Sequence, residues 1–138
     1  MNVFLDANVL VSVLNKEYPL FSYSSRILSL TEDKRFRIYT SPVCLAIAFY
    51  FAEKKSGSVM AKKKMEVLTQ KIHITNVGGR EVLDSLHNKK VLDFEDGLEY
   101  YSAIQSKCSV IITENVSDFH FSGIEVHTSQ QFIEKHVI

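Results

Sequence analysis

The chain has 138 residues, enough for one domain with a real core, and 46% hydrophobic with 23% charged residues is the balance of a folded globular protein, not a disordered one. Sixteen Lys and Arg offset sixteen Asp and Glu, so a nucleic-acid surface on this chain requires local segregation of charge, because phosphate binding is driven mainly by basic side chains. No apolar run approaches the roughly 18 residues of a membrane span and no signal-peptide pattern opens the chain, so the expectation is a cytoplasmic protein with no membrane partner.

Val3-Phe4-Leu5 reads as a short buried strand ending at Asp6, after which Asn8 is placed to cap a helix carrying Val9, Leu10, Val13 and Leu14. Pro19 opens a second helical stretch with Ile27, Leu28 and Leu30 as its apolar positions. Arg37 to Thr40 is a short strand, and Ser41-Pro42 then opens a helix with Ser as N-cap and Pro at the first helical position. That helix, Val43 to Lys55, is apolar almost all round, which predicts that it is largely buried. Ser56-Gly57-Ser58 breaks it, and an amphipathic helix follows with Met60, Met65, Val67 and Leu68 set against lysines.

Ile72 to Thr75 alternates like a strand, Gly78-Gly79 is a turn, and Arg80 to His87 is a short helix with Val82, Leu83 and Leu86 expected inward. Asp93 begins a helix with Phe94, Leu98, Tyr101 and Ile104 on one face. Ser109 to Thr113 is the strongest strand signal, Glu125 to Thr128 a last strand, and Ser129 to His136 a closing helix. Cys44 and Cys108 both fall in apolar runs, where free cysteines behave as small buried hydrophobes. Strands alternating with helices, without repeat or linker, predict one α/β domain over 1–138 with a mostly parallel sheet.

In such sheets ligands bind beyond the carboxyl ends of the strands. Asp6 sits at that end of the first strand, Asp118 five residues past Thr113 at the same end of the strong strand, and Asp93 and Asp96 at the start of the helix that feeds it. Carboxylates gathered in one place raise each other's pKa unless cations neutralise them, and an all-oxygen site suits Mg²⁺ or Mn²⁺. Such chemistry serves phosphodiester hydrolysis. The five histidines show no ligand spacing with the cysteines, so a His/Cys zinc site is not expected. Each aspartate also has a plain local role: Asp93 and Asp96 as helix N-terminal acids, Asp118 in a turn with Asn115 and Ser117, and Asp6 in the strand-to-helix turn.

At these residues the chain resembles the PIN-domain family, the fold of VapC-type toxin ribonucleases and related RNA-processing nucleases. The resemblance runs through Phe4-Leu5-Asp6-Ala7-Asn8-Val9-Leu10, Thr40-Ser41-Pro42, the stretch from Asp93 to Ala103, and the stretch from Ile111 to Phe119. It implies a three-layer α/β/α sandwich around a mostly parallel central sheet, and metal-dependent RNA hydrolysis with Asp6, Asp96 and Asp118 as catalytic metal ligands. Asp93 is then an additional metal ligand, and Asn8, Thr113 and Asn115 support the site. The implied partners are an RNA substrate, an antitoxin protein covering the acidic groove, and a second copy in a homodimer. Lys62, Lys63 and Lys64 are the candidate phosphate-steering residues, against the ordinary reading of a lysine run as a solvated helical face.

Two departures from the family pattern stand out. Ile47 occupies the position where the family usually places a glutamate, and Glu53 cannot replace it, because six residues along a helix is about 600° of rotation. Glu99, one turn from Asp96, is either a further site carboxylate or a solvent-facing residue. Glu114 stands where related sequences often carry a basic residue. The alternative to a ribonuclease is therefore a catalytically weak or inactive PIN-like module that binds RNA or a protein. A receiver-like phosphoacceptor domain would want an acidic pair near the first strand and a lysine soon after a late strand, and Lys135 lies far beyond Ile112.

Overall fold

A computed structural model of the chain describes residues 1–137. Five parallel strands, β1 (Asn2–Leu5), β2 (Arg37–Thr40), β3 (His73–Ile74), β4 (Val110–Ile112) and β5 (Glu125–His127), form one sheet in the order β3-β2-β1-β4-β5. The central strand is the unbroken apolar run: Val3, Phe4 and Leu5 are buried, with Val3 in register with Ile38 on one side and Val110 on the other. Continuous apolar strands of this kind require cover on both faces. Among the described residues seven α-helices supply it: α1 (Ala7–Asn15), α2 (Phe21–Ser29), α3 (Pro42–Ser56), α4 (Ser58–Thr69), α5 (Gly79–His87), α6 (Phe94–Gln105) and α7 (Ser129–Phe132). The sheet grows outward from β1 in both directions, so right-handed crossovers put α1 to α4 on one face and α5 and α6 on the other. The result is the expected three-layer α/β/α sandwich.

The local signals behave as expected at several points. Ser41 Oγ accepts the Cys44 N–H at 3.1 Å and Pro42 takes the first turn of α3. Cys44 and Cys108 are buried free thiols.

Helix rotation differs from expectation in three places. In α3 the inner stripe is Cys44, Ala48 and Ala52, spaced one turn apart, and these small residues let α3 pack closely on α1 and α4. The larger apolar side chains are displaced outward, leaving Tyr50 54% and Phe51 45% exposed, so an apolar composition did not mean a buried helix. In α5 the buried residues are Glu81 and Ser85, whereas Leu83 and Leu86 are 54% and 63% exposed. Gly97 of α6 explains the orientation: a Cβ there would lie 2.8 Å from Ser85 Cβ, so the two helices touch through their smallest side chains. In α6 the buried face is Gly97, Leu98, Glu99, Ser102 and Ala103, while Phe94 and Ile104 are exposed. Of the apolar stripe read from the 3.6-residue period, Leu98 is buried as expected, whereas Phe94 and Ile104 are turned outward and a carboxyl group is turned into the core.

Candidate metal centre

Asp6 leaves β1 as its backbone N–H donates to Ile112 O at 3.0 Å, which ties it to the end of β4. Asp6, not Asn8, is the N-cap of α1. Its Oδ1 accepts from Ala7 N at 2.6 Å, and its Oδ2 accepts from the Thr113 hydroxyl at 2.7 Å and from Asn8 Nδ2 at 3.4 Å. Asn8 bridges onward, donating to Thr113 Oγ1 at 3.2 Å and accepting the Glu114 N–H at the same distance. The Asn115 N–H completes the network on Thr113 Oγ1 at 3.0 Å. Side chains from β1–α1 and the β4 exit therefore lock the Asp6 carboxylate in one orientation.

Helix α6 and its N-cap bring four more acids, Asp93, Glu95, Asp96 and Glu99. Asp93 is its N-cap, with Oδ1 accepting the Glu95 N–H at 2.9 Å, so the plain capping role exists alongside its place at the cleft. Asp96 is half-buried, and its pKa is raised to about 7 by burial first, then by the charges of Asp93, Asp6, Asp118 and Glu95. Glu99, one turn further, is only 2% exposed. Burial, a hydrogen bond with Asp6 and the Asp6 charge push its carboxyl up to about 11, so it holds a proton at neutral pH. Beneath it the Cys44 thiol donates to Glu99 Oε1 at 2.8 Å, and burial above all, with the Asp6 charge nearby, keeps that thiol protonated. Asp6, Cys44 and Glu99 form a tight buried cluster, their ligand atoms within 4.8 Å of one another.

Beyond β4 a short 3₁₀ turn, Val116–Phe119, carries Asp118, whose N–H donates to Asn115 O at 3.0 Å. The turn expected there exists, and it presents the carboxylate to the same cleft. Glu114 has a structural role as well: its Oε1 accepts the Ser129 N–H at 3.1 Å, satisfying a free donor at the start of α7.

These groups line one open cleft of about 490 Å³ at the carboxyl edge of the sheet. Asp6, Asp93, Asp96 and Asp118 all face it, as do Asn8 and Asn115, whereas Thr113 is buried behind Asp6. Eight of its lining residues are Asp or Glu, and among the described residues none that lines it is Lys or Arg. Burial, with the repulsion of the neighbouring acids added to it, raises the Asp96 pKa to about 7, and a divalent cation would relieve that repulsion. The donors are oxygens, and the nearest sulfur is a protonated, buried thiol, so the set fits Mg²⁺ or Mn²⁺. The α3 wall is apolar, formed by Ile47 and Phe51. Lys62, Lys63 and Lys64 lie on α4 away from the cleft, and Lys64 Nζ donates to Ser56 Oγ at 3.1 Å.

The sequence reading left Glu99 open and took Cys44 only as a buried hydrophobe. The usable signals were that Glu99 follows Asp96 by three helical positions and so shares its face, and that Cys44 lies in the first turn of α3, just past β2.

A family model described as PIN domain matches residues 2–117. A ribonuclease VapC1 of Aquifex aeolicus is 26% identical over 96% of this chain and 94% of its own length. Among solved structures, VapBC2 of Rickettsia felis, bound to a DNA fragment from its promoter, superposes with a TM-score of 0.71 at 18% identity, covering 93% of this chain and 98% of the other. A sarcin-ricin loop cleaving toxin of Mycobacterium tuberculosis, VapC20, gives 0.68 at 14% identity, covering 88% and 95%.

Proposed function

The chain belongs to the PIN-domain family, and on that premise we propose that it is a metal-dependent ribonuclease, the toxin of a toxin–antitoxin pair. The observation that carries this reading is the cleft crowded with carboxylates and lined by no basic residue among those described. Such a surface repels a phosphodiester unless cations are bound in it, so any phosphate chemistry there depends on a metal. The likeness to a ribonuclease and to an RNA-loop-cleaving toxin supports RNA as the substrate.

In this reading Asp6, Asp96 and Asp118 hold Mg²⁺ or Mn²⁺, with Asp93 at the rim as a fourth acid. A divalent cation, when bound, supplies Lewis acidity toward the phosphate and lowers the pKa of a coordinated water. The protein's own residues set the stage. Thr113 and the Ala7 N–H fix the Asp6 oxygens, and protonated Glu99 donates to Asp6, so the floor of the cleft carries one charge where two carboxylates lie. Asn115 places a neutral amide along the cleft, suited to a phosphate oxygen or a ribose hydroxyl, while the Asn8 amide is engaged with Asp6, Thr113 and Glu114. Ile47, Phe51, Val11 and Leu20 provide an apolar wall that limits water beside the acids.

Ile47 and Phe51 also favour a second reading, since α3 gives the cleft no carboxylate and fewer anionic ligands mean weaker metal binding. A catalytically weak PIN domain that binds RNA or a protein would result. Cleavage of labelled single-stranded and hairpin RNAs with Mn²⁺, abolished by EDTA and by Asp6→Asn, supports the ribonuclease. No cleavage of either RNA with Mn²⁺ supports the binding module.

The likeness to VapBC2 supports a protein partner, and in this reading an antitoxin segment covers the cleft and a second copy of the chain completes a dimer. Exposed Phe51 at the cleft and Tyr50 beside it are the apolar surface such a segment would bury.

A further inference from the structure

A second group of metal-ligating side chains lies at the far edge of the sheet. Glu125 and His127 are two residues apart on β5, so the strand period turns both side chains to one face. The chain then passes through α7 into a π-helical turn, Ile133–Val137, which swings His136 back over that face. His127 Nε2 lies 3.2 Å and His136 Nε2 3.1 Å from the same oxygen, Glu125 Oε2. The three ligand atoms all lie within 4.8 Å of one another. The other carboxylate oxygen accepts from Lys135 Nζ at 2.8 Å, and the His136 ring packs on Phe132 with centroids 4.9 Å apart. Each group is thus held by neighbours before any ligand arrives.

We propose that Glu125, His127 and His136 form a second metal site, for a Zn²⁺-like cation, that staples the C-terminal turn to edge strand β5. The spacing fits: ligands bonded at about 2.0–2.1 Å to a tetrahedral ion stand roughly 3.3 Å apart, close to the 3.2 and 3.1 Å from each imidazole to Glu125. Two imidazoles and one carboxylate suit a borderline ion, unlike the all-oxygen cleft, and leave a fourth position for water. Lys135 holds Oε1 and leaves Oε2 free, which favours monodentate binding. The staple secures the strand that supports the acidic cleft from behind, because the His127 carbonyl accepts the Thr113 N–H at 2.9 Å. A hydrogen-bonded His–carboxylate–His bridge is the metal-free use of the same geometry, and the experiment separates the two.

The test uses the tag-free full chain carrying Asp6→Asn and Asp118→Asn, which silences the acidic cleft. Titration with ZnCl₂ by calorimetry should show about one ion bound per chain and a raised Tm. Adding His127→Gln, or separately His136→Gln, should weaken Zn²⁺ binding by about tenfold or more and abolish the Tm rise. Circular dichroism verifies the fold of each variant, and His136→Gln at the chain's end carries the test if His127→Gln perturbs the strand. Co²⁺ should give the visible absorption of a tetrahedral site in the cleft-silenced chain. No Zn²⁺ binding in that chain, or equal binding by the His variants, overturns the proposal and leaves the hydrogen-bonded bridge. The outcome is independent of whether the acidic cleft cleaves RNA.

Discussion

The Cys44 thiol donates to Glu99 Oε1 at 2.8 Å, joining α3 to α6 across 55 residues of sequence directly beneath Asp6. Helix α3 delivers Ile47 to the acidic cleft and a buried thiol beneath it, and the buried carboxyl beside Asp6 comes from α6. The acid at the base of the cleft therefore comes from α6, and α3 contributes no carboxylate there.

The Glu99 carboxyl makes the fold sensitive to alkali. Unfolded Glu99 ionises above its ordinary value of 4.5, whereas folded Glu99 keeps its proton up to about 11. Between these limits unfolding releases a proton, so rising pH favours the unfolded chain, and below 4.5 the effect vanishes. Glu99→Gln preserves an acceptor for Cys44 and a donor for Asp6 without the ionisation. Urea unfolding should show it more stable than wild type by about 3 kcal/mol at pH 7, with a smaller gain at pH 5. A variant less stable than wild type at pH 7 would contradict the protonated assignment.

In the proposed metal centre, Asp96 is the group expected to set the pH dependence of metal binding. With its pKa raised to about 7, a bound ion displaces its proton. Mn²⁺ affinity should climb by about fifteenfold in total from pH 5.5 to 7 and level off above 7.5. Calorimetry in buffers of different ionisation heat should register one proton released at pH 6. A flat affinity across this range would exclude Asp96 as a titrating ligand.

The α5–α6 contact depends on the missing side chain of Gly97, since a Cβ there meets Ser85 Cβ and Val91 Cγ1 at 2.8 Å. Gly97→Ala should destabilise the fold by about 1–3 kcal/mol despite the better helix propensity of alanine. Thermal melts that leave Tm unchanged or raised would refute the close packing.

Lys62, Lys63 and Lys64 test whether α4 steers RNA although it lies outside the cleft. Reversing all three to glutamate should weaken RNA binding about tenfold at low salt and reduce the slope of log affinity against log salt. Unchanged affinity would return these lysines to the role of a solvated face.

The strand framework was legible because β1 and β4 are short unbroken apolar runs, and the acids that end or follow them were legible because parallel sheets place their exits on one edge. Ser41-Pro42 announced α3 through capping chemistry alone. Helix rotation was not legible where small or polar residues decide it. Leu83 and Leu86 carry the apolar period of α5, yet the Gly97–Ser85 contact turns them outward. Glu99 looked undecided for the same reason: its burial rests on Asp6 and Cys44, from distant parts of the chain, and no local period encodes that.

The central claim is that the acidic cleft is a divalent-metal centre. Crystals soaked in MnCl₂ and measured for anomalous scattering test it most directly. A peak within bonding distance, about 2.0–2.4 Å, of the Asp6, Asp96 and Asp118 carboxylates is the predicted result. An empty cleft at saturating Mn²⁺, or density only at Glu125, His127 and His136, would contradict it.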